Sequence, residues 1–319
     1  MKATARAHPI QGLIKYHGLR EKSLRIPYHD SISVCTAPSS TVTTVEFGHE
    51  TDTCVVNGEE IDETGYERVV KILDRVRELS DIETGARVES ENNFPSNVGL
   101  GASSSAFAAL ALAATEGAGL DLSLREVSAI ARRGATSASR SVTGGFSHLR
   151  TSMMDEECAS ERIEDGFDDD IRIVVGLVPA FKHTARAHEE ASESHLFEGR
   201  LAYVHGALAE MRKAIHDGDF HQTFSLAESD SLSLLAVTMT GPENWVYWQP
   251  ETIELLNTVR ELREEGVSVY FSTDTGATAY LNTTSEYVDR VADEVEALGI
   301  EPRKWEVGGP AEVVEDDLF

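Results

Sequence analysis

The sequence predicts a mixed fold of helices and strands in two halves, on three observations. Short segments with alternating β-branched residues predict strands in the first half, as at 31–37 and 40–48. Apolar residues three and four positions apart predict amphipathic helices, as at 65–81 and 122–134. The second half carries three long helical patterns and then a strand and a turn followed by a second strand or a short helix. We find neither internal repeats nor a low-complexity linker.

Two local signals fix the ends of elements in the first half. Segment 54–61 predicts a hairpin, because Asn57-Gly58 favours the positive φ of a tight turn. Ser123, with Glu126 three residues later, predicts a capping box at the start of a helix.

The remaining predicted elements follow in chain order. They are a strand at 85–95, an acidic surface hairpin or loop at 153–170, a buried strand at 171–179, helices at 192–216, 219–236 and 250–265, a strand and turn followed by a strand or short helix at 267–283, a helix at 285–299 and a closing strand at 303–309. We expect a boundary near 180–190, and divide the chain into tightly packed parts at 1–185 and 186–319.

The charge is the unusual feature of the composition. The 55 acidic residues outnumber 28 basic ones, the formal net charge is −27, and only seven residues are lysines. Acid-rich, lysine-poor surfaces are typical of halophilic cytoplasmic proteins, because hydrated carboxylates keep a protein soluble in concentrated salt. Such a surface repels nucleic acid and anionic membranes, so we expect neither as a partner. Three isolated cysteines and no apolar run of about 18 residues predict a soluble protein of the reducing cytoplasm.

The stretch "NNFPSNVGLGASSSAFAALALAA", from Asn92, has the form of a phosphate-binding loop without its lysine. Its glycines allow a sharp turn that presents backbone N–H groups, and the following helix adds its positive N-terminal end. The candidate ligands of a nucleotide and of Mg²⁺ are Gly99, Gly101, Ser103, Ser104 and Ser105. The positive charge must then come from the metal or from another segment. The alternative is a glycine turn before a helix of small packing residues.

Three further places carry candidate chemistry. Arg140 lies beside Ser137 and Ser139 in a stretch of small residues, and arginine holds a carboxylate in bidentate fashion. Lys15 interrupts an apolar stretch and cannot be buried without a partner, which a bound anion would supply. Asp274 follows an apolar strand, where a carboxylate can orient a substrate or accept a proton. The alternatives are a surface arginine, a snorkelling lysine and an ordinary Asp-x-Gly turn.

Taken in order, these motifs resemble the GHMP small-molecule kinase superfamily and, within it, the mevalonate diphosphate decarboxylases. The resemblance covers nearly the whole chain, through "IKYHG" with "IPYHDSIS", the stretch from Asn92, "ARRGATSASRSVTGGF", "FKHTARAHEEASES" and "FSTDTGATAYL". The piece "GATSASRS" followed by "GGF" separates it from the kinases, which usually carry an aspartate in that region. The resemblance implies an α+β, two-lobed GHMP kinase fold with the active site in the cleft between the lobes.

The activity that the resemblance implies is ATP-dependent decarboxylation of a 3-hydroxy-3-methyl acid. Phosphorylation of the tertiary hydroxyl supplies a leaving group, and its departure with CO₂ forms an alkene. By this analogy Asp274 orients or deprotonates the hydroxyl, Arg140 holds the carboxylate and Lys15 stabilises the phosphoryl group. The analogy also assigns substrate binding to Tyr16, Ser137, Ser139 and Arg140, ATP to the glycine loop, and Mg²⁺ to Ser103 and Ser104.

Departures from the family pattern bear on the substrate. His17 stands where the family has a tryptophan, and Leu19 where it has a second lysine. Less positive charge near bound phosphates suits one phosphoryl group, so we expect mevalonate 5-phosphate as substrate and isopentenyl phosphate as product. Mevalonate 5-diphosphate, a kinase that stops at the 3-phosphate, and a non-catalytic sensor remain the alternatives. A homodimer is a further expectation from the family.

Overall fold

Two β-sheets with helices packed on their faces form the protein. The structure is a computed structural model that describes residues 1–95, 99–167, 169–179, 188 and 190–319. No helix in these ranges is long and apolar enough to cross a membrane.

The first sheet contains six strands within the described ranges. These are β1 (Lys2–Ala7), β6 (Thr41–His49), β7 (Thr53–Val56), β8 (Glu59–Glu60), β9 (Gly85–Asn92) and β16 (Glu312–Val314). Their order is β16–β1–β6–β9–β7–β8, and β7 with β9 is its parallel pair. Strand β1 therefore lies between β6 and the strand nearest the C-terminus.

The second sheet is built from both halves of the sequence. Its strands are β2 (Ile10–Ile14), β5 (Ser31–Ala37), β10 (Phe146–Arg150), β11 (Ala159–Arg162), β12 (Ile171–Gly176), β13 (Val269–Thr273), β14 (Ala279–Thr284) and β15 (Pro302–Val307). Their order is β11–β10–β5–β15–β12–β14–β13, and β2 also pairs with β5. A small hairpin of β3 (Leu19–Glu21) and β4 (Ile26–Pro27) follows β2.

Helices cover both sheets. They are α1 (Glu63–Leu79), α2 (Ala102–Gly117), α3 (Leu124–Gly134), α4 (Ala138–Thr143), α5 (Phe197–His216), α6 (Phe220–Met239), α7 (Pro250–Glu264) and α8 (Val288–Ala297), with a short 3₁₀ helix at Ala191–Glu193. Helix α2 is almost entirely alanine and other small or apolar residues, and most of it is buried. Its small side chains let it pack closely among its neighbours.

The alternation along β12 shows how the second sheet separates two cores. Ile173 and Val175 lie in the core that includes Met211 of α5 and Phe224 of α6. Val174, between them in sequence, lies in the core that includes residues of α7 and α8. Successive side chains of a strand point to opposite faces, so one apolar run is buried on both sides.

The structure confirms several predicted elements where a local sequence signal marks a turn or an end. Strand β5 has the predicted ends, and the hairpin turn has positive φ at Asn57 (52°) and Gly58 (81°). The capping box of α3 forms as predicted between Ser123 and Glu126. The acidic segment predicted as a hairpin or loop contains β11, which pairs with β10, and at the C-terminus β16 follows the predicted closing strand.

The predicted division of the chain falls outside the described residues. The boundary between 185 and 186 lies in the undescribed range 180–187, as does the first half of the segment "FKHTARAHEEASES". Strand pairing crosses this boundary, since β12 pairs with both β14 and β15, and β15 pairs with β5. The division therefore stays a prediction, and the second sheet is continuous between the two parts.

Substitution Ser123→Ala tests the contribution of the capping box to stability. We expect the free energy of unfolding to fall by about 1 kcal/mol, because the N–H of Glu126 loses its side-chain acceptor. Urea unfolding in molar KCl, followed by tryptophan fluorescence, measures the change. Ser229→Ala is the matched control, because its exposed hydroxyl lies inside α6, and we expect a change within about 0.5 kcal/mol. Equal losses in the two variants would contradict the assignment.

Candidate active site

Strand β2 is the element around which the candidate site is assembled. The Gln11 amide nitrogen donates to Ser272 Oγ at 2.6 Å and to Asn282 Oδ1 at 2.8 Å. These buried contacts hold β2 against β13 and β14. As a result, the backbone N–H of Gly12 reaches Asp274 in the turn after β13, and donates to its Oδ1 at 3.0 Å.

Position 12 requires glycine because the side chains of Lys15 and Asp274 approach its backbone closely. A Cβ atom there would lie 2.6 Å from Cγ of Lys15 and 3.1 Å from Oδ1 of Asp274. Real Cβ contacts are never as short as the first of these. The missing side chain is therefore what allows Lys15 and Asp274 to occupy the same small space.

Lys15 is a buried lysine with a carboxylate partner. Its side chain is 5% exposed, and Nζ lies 3.3 Å from Asp230 Oδ2 and 3.0 Å from Ser231 Oγ. The backbone N–H of Lys15 donates to the same Asp230 oxygen at 3.0 Å. The snorkelling alternative is wrong, because the ammonium group turns inward to α6.

A second cation holds this pair in place from α5. Arg200 donates to Asp230 Oδ1 at 3.0 Å and to the backbone carbonyl of Lys15 at 2.7 Å. Burial lowers the pKa of Lys15, and the Asp230 and Asp274 carboxylates oppose that shift. The two carboxylates thus favour the charged ammonium in a site that water barely reaches.

Arg140 approaches the same place from α4. It is 3% exposed, its Nε donates to Ser33 Oγ at 2.8 Å, and its Nη1 donates to Ser31 Oγ. Its guanidinium carbon lies 5.6 Å from the ring centre of Tyr16. Burial lowers the pKa of Arg140 to about 10, against the opposing effects of Tyr16 and Asp274, so the group is cationic at neutral pH. The surface alternative for this arginine is wrong.

The two serines predicted beside Arg140 differ in exposure. Ser139 is fully buried, and the described residues give its hydroxyl no hydrogen-bond partner. Ser137 precedes α4 at its N-cap and is half-buried. A buried hydroxyl without a partner costs free energy, so Ser139 is poised for a ligand atom. Tyr16, whose ring contacts the Arg140 guanidinium, stacks on His188 with ring centres 4.6 Å apart.

The glycine loop lies next to β2 and the Asp274 turn. Gly99 and Gly101 have φ of 83° and 71°, which glycine adopts at little cost. The carbonyl of Gly99 accepts from the hydroxyl of Tyr280 at 3.0 Å, and this fixes the loop to β14. Residues 96–98 of the same stretch lie outside the described residues. Gly101 is the N-cap of α2, so the loop leads directly into the helix N-terminus.

The three serines after the loop have different surroundings. Ser104 is fully buried, and its hydroxyl donates to the Gly101 carbonyl at 2.6 Å and accepts from the Ile10 N–H at 3.2 Å. Ser105 is also fully buried and lies 2.6 Å from the Thr41 hydroxyl. Ser103 is exposed. Ser104 and Ser105 thus hold the loop in place, and the assignment of the three serines to the nucleotide and to Mg²⁺ stays a prediction.

Sequence reasoning missed Asp230 and Arg200. Each lies on the apolar face of its helix, Asp230 among Phe224, Ala227 and Leu234. A charged residue on the apolar face of a helix is costly to bury unless it has a partner. A charge at such a position is therefore the signal by which the sequence could have indicated these two residues. Lys15 and Asp230 are 215 residues apart in sequence, so no local pattern pairs them.

Family models match the chain in two consecutive parts. The diphosphomevalonate decarboxylase-like N-terminal domain matches residues 7–160, and the mevalonate 5-diphosphate decarboxylase C-terminal domain matches residues 182–307. A phosphomevalonate decarboxylase from Haloferax volcanii is 58% identical over 319 residues, which are 99% of this chain and 98% of that protein. The chain belongs to the mevalonate diphosphate decarboxylase family. The source of this relative agrees with the halophilic character predicted from the acidic composition.

More distant members of the decarboxylase family match most of the chain in sequence, and solved structures of the family match its fold. The diphosphomevalonate decarboxylase of Candida albicans is 29% identical, over 87% of this chain and 83% of that protein. The crystal structure of mevalonate diphosphate decarboxylase from Staphylococcus aureus has a TM-score of 0.93 at 28% identity, with 98% of each chain covered. A structure of MDDEF in complex with MVAPP, AMPPCP and magnesium has a TM-score of 0.92 at 28% identity, with 99% of each chain covered. The predicted GHMP kinase fold is confirmed.

Substitution Asp230→Asn tests the electrostatic support of Lys15. We expect the pKa of Lys15 to fall further, because its main opposing negative charge is removed while its burial stays the same. The ¹³C chemical shift of the lysine Cε, followed against pH, reports this pKa, and Lys15→Met assigns the signal among seven lysines. Glu228→Gln is the matched control on α6, because Glu228 pairs with Arg263 instead. An unchanged Lys15 titration in Asp230→Asn would refute the pairing.

Proposed function

We propose that this decarboxylase converts mevalonate 5-phosphate and ATP to isopentenyl phosphate, ADP, phosphate and CO₂. The observation that carries the proposal is the meeting of Asp274, Lys15 and Arg140 beside the glycine loop. One carboxylate and two buried cations match a substrate that carries a hydroxyl, a carboxylate and a phosphoryl group. The 58% identical relative named phosphomevalonate decarboxylase supports the choice of substrate.

Phosphoryl transfer to the 3-hydroxyl is assigned to Asp274 and Lys15. Asp274 is held by the Gly12 N–H and orients the hydroxyl or takes its proton as the oxygen attacks the γ-phosphorus of ATP. Lys15 is close enough to Asp274 to feel its charge, and its ammonium stabilises the negative charge of the transferring group. Because Asp230 and Arg200 fix its position, Lys15 needs no reorganisation when the transfer occurs.

Decarboxylation is assigned to Arg140 and the hydroxyls around it. The 3-phosphate leaves with the C3–O electron pair, the C1–C2 bond breaks, and its electrons form the alkene as CO₂ departs. Arg140 is fixed by Ser31 and Ser33 and carries no carboxylate partner among the described residues, so its charge is available to the substrate carboxylate. Ser139, whose buried hydroxyl has no partner within the described ranges, supplies a hydrogen bond to the same substrate.

ATP and Mg²⁺ are assigned to the glycine loop and the start of α2. The positive φ of Gly99 and Gly101, the helix N-terminus and the exposed Ser103 hydroxyl fit a bound triphosphate. The described residues contain no cluster of three acidic, histidine or cysteine side chains that would hold a metal alone. This fits Mg²⁺, which proteins often bind through substrate phosphates with few side chains, and which neutralises phosphate charge when bound.

The first experiment separates the proposed substrate from its runner-up, mevalonate 5-diphosphate, which the names of the more distant relatives favour. Both compounds are offered with Mg²⁺ and ATP in molar KCl, and CO₂, ADP and the organic product are measured. We expect isopentenyl phosphate and CO₂ from the monophosphate. Turnover of the diphosphate alone would refute the substrate choice, and ADP without CO₂ would refute decarboxylation.

Substitution Asp274→Asn tests the role of the carboxylate in phosphoryl transfer. We expect kcat to fall by about 100- to 10,000-fold, because proton removal and orientation of the 3-hydroxyl are lost. The KM for ATP should change little, since the nucleotide is assigned to the glycine loop. Steady-state ADP release measures both constants. Asp289→Asn, at an exposed surface position, is the control for loss of one negative charge. A kcat within tenfold of the wild-type value would remove Asp274 from the mechanism.

We assign the enzyme to the cytoplasm. Cys35, Cys54 and Cys158 are all buried free thiols, which suits a reducing compartment. The homodimer expected from the family stays a prediction.

A further inference from the structure

The buried hydroxyl of Ser231, on α6, contacts both Lys15 and the strand that leads to Asp274. Lys15 Nζ donates to Ser231 Oγ at 3.0 Å, and the backbone N–H of Thr273 donates to the same oxygen at 3.1 Å. Thr273 is the last residue of β13, and Asp274 follows it directly. One oxygen atom thus accepts from the ammonium group and from the backbone next to the carboxylate.

The hydrogen bonds of the Ser231 hydroxyl fix its orientation. Its proton is donated to the Ala227 carbonyl at 2.8 Å, one turn earlier in α6, because the Thr273 carbonyl is farther away at 3.5 Å. Its lone pairs are then used by Lys15 Nζ and by the N–H of Thr273, which fills the acceptor capacity of a hydroxyl oxygen. Ser231 is 1% exposed, so bulk water does not compete for these contacts.

Helix α6 lies along the outer edge of the second sheet. Strand β13 is the last in the order of the described strands of this sheet, so alternate N–H groups along it face outward. The N–H of Phe271 donates to Glu228 Oε1 at 2.9 Å, and the N–H of Thr273 donates to Ser231 Oγ at 3.1 Å. Alternate residues of the strand thus meet successive turns of the helix. Because Glu228 holds β13 independently, the strand stays attached to α6 when the Ser231 contact is lost.

The contacts of the Lys15 ammonium group determine where its remaining N–H points. An ammonium group has three donors. Within the described ranges its side-chain acceptors are Asp230 Oδ2 at 3.3 Å and Ser231 Oγ at 3.0 Å. Asp230 and Ser231 are consecutive residues of α6, so both acceptors are held by the same turn of the helix. With both acceptors fixed, the third N–H has one direction and is left for a ligand.

We propose that Ser231 is a positioning residue for phosphoryl transfer, which sets the place of the Lys15 ammonium group relative to Asp274. This inference rests on the proposed function, because it takes Lys15 and Asp274 as the residues that act on the transferring group. Ser231 acts through Lys15 Nζ and through the backbone of Thr273, which between them use both of its lone pairs. A displacement of about 1 Å in a catalytic group can lower a rate about 100-fold, so such a contact matters to turnover.

The test compares Ser231→Ala with Thr238→Val. Thr238 is also buried on α6, and its hydroxyl likewise donates to a carbonyl one turn earlier, that of Leu234. With mevalonate 5-phosphate and ATP in molar KCl, we expect kcat to fall about 10- to 100-fold in Ser231→Ala. The KM for each substrate should change by less than about threefold, because the lost contact serves the transition state. In Thr238→Val, kcat should stay within about twofold of the wild-type value.

The titration of Lys15 gives a second measurement that does not depend on turnover. The charges that face Lys15 are Asp230 on α6, Asp274 after β13 and Arg200 on α5, and all three remain in Ser231→Ala. Loss of an acceptor disfavours the charged ammonium group, so we expect the pKa of Lys15 to fall below its already lowered wild-type value. The ¹³C shift of the lysine Cε against pH measures this change, and Thr238→Val should leave it unaltered.

A kcat within about threefold of wild type in Ser231→Ala overturns the proposal, as does an unchanged titration of Lys15. An equal loss of kcat in Thr238→Val also overturns it, because loss of any buried hydroxyl of α6 would then have the same effect. If Ser231→Ala does not fold by circular dichroism, Ser231→Cys replaces it, since a thiol has a similar shape but is a weak acceptor, and the same fall in kcat is expected. If wild-type protein uses the diphosphate alone, the proposed function is wrong, and the same comparison made with the diphosphate still tests Ser231.

Discussion

A lysine buried among apolar strands must have an opposite charge, and the pairing of Lys15 with Asp230 meets this requirement. The rest of the site depends on that pair. Arg200 balances the second oxygen of Asp230 and binds the carbonyl of Lys15, so that α5, α6 and the end of β2 are joined at one point. Gly12 leaves the space in which Lys15 and Asp274 meet. Removing the Asp230 carboxylate alone would leave the charge of Lys15 buried without its partner. This costs more free energy than replacing both members of the pair by apolar residues.

The cations of the candidate site are buried, while the chain as a whole is strongly acidic. Arg140, Arg200 and Lys15 are 3%, 2% and 5% exposed, while the net charge of the whole chain is −27. In molar salt the Debye length is about 3 Å, so long-range attraction of an anionic substrate is almost fully screened. Buried cations are screened much less. Recognition in such a medium therefore depends on short contacts inside the site, made by cations that the surface carboxylates do not neutralise.

Sequence patterns pointed to the candidate site residues that interrupt an apolar or glycine-rich run. Lys15, Arg140 and Asp274 each stand out in this way, and the structure brings all three together. Asp230 and Arg200 carry the same signal on their helices, but their partner lies 215 and 185 residues away and no periodicity points to it. The three serines after Gly101 are equivalent in a sequence reading. Only the direction of each side chain around α2 decides that Ser103 is exposed and that Ser104 and Ser105 are buried.

The local elements, the acidic composition and the family can be predicted without the structure, because they depend on periodicity, turn residues, residue counts and short motifs. The β5 strand, the Asn57-Gly58 turn and the capping box at Ser123 needed no tertiary information. The tertiary structure alone decided which charges share one site, since Coulomb and hydrogen-bond energies depend on distance in space. It also decided that the Arg25 carbonyl and the Arg68 side chain, from segments far apart in sequence, both attach to the stretch between Gly134 and Thr136.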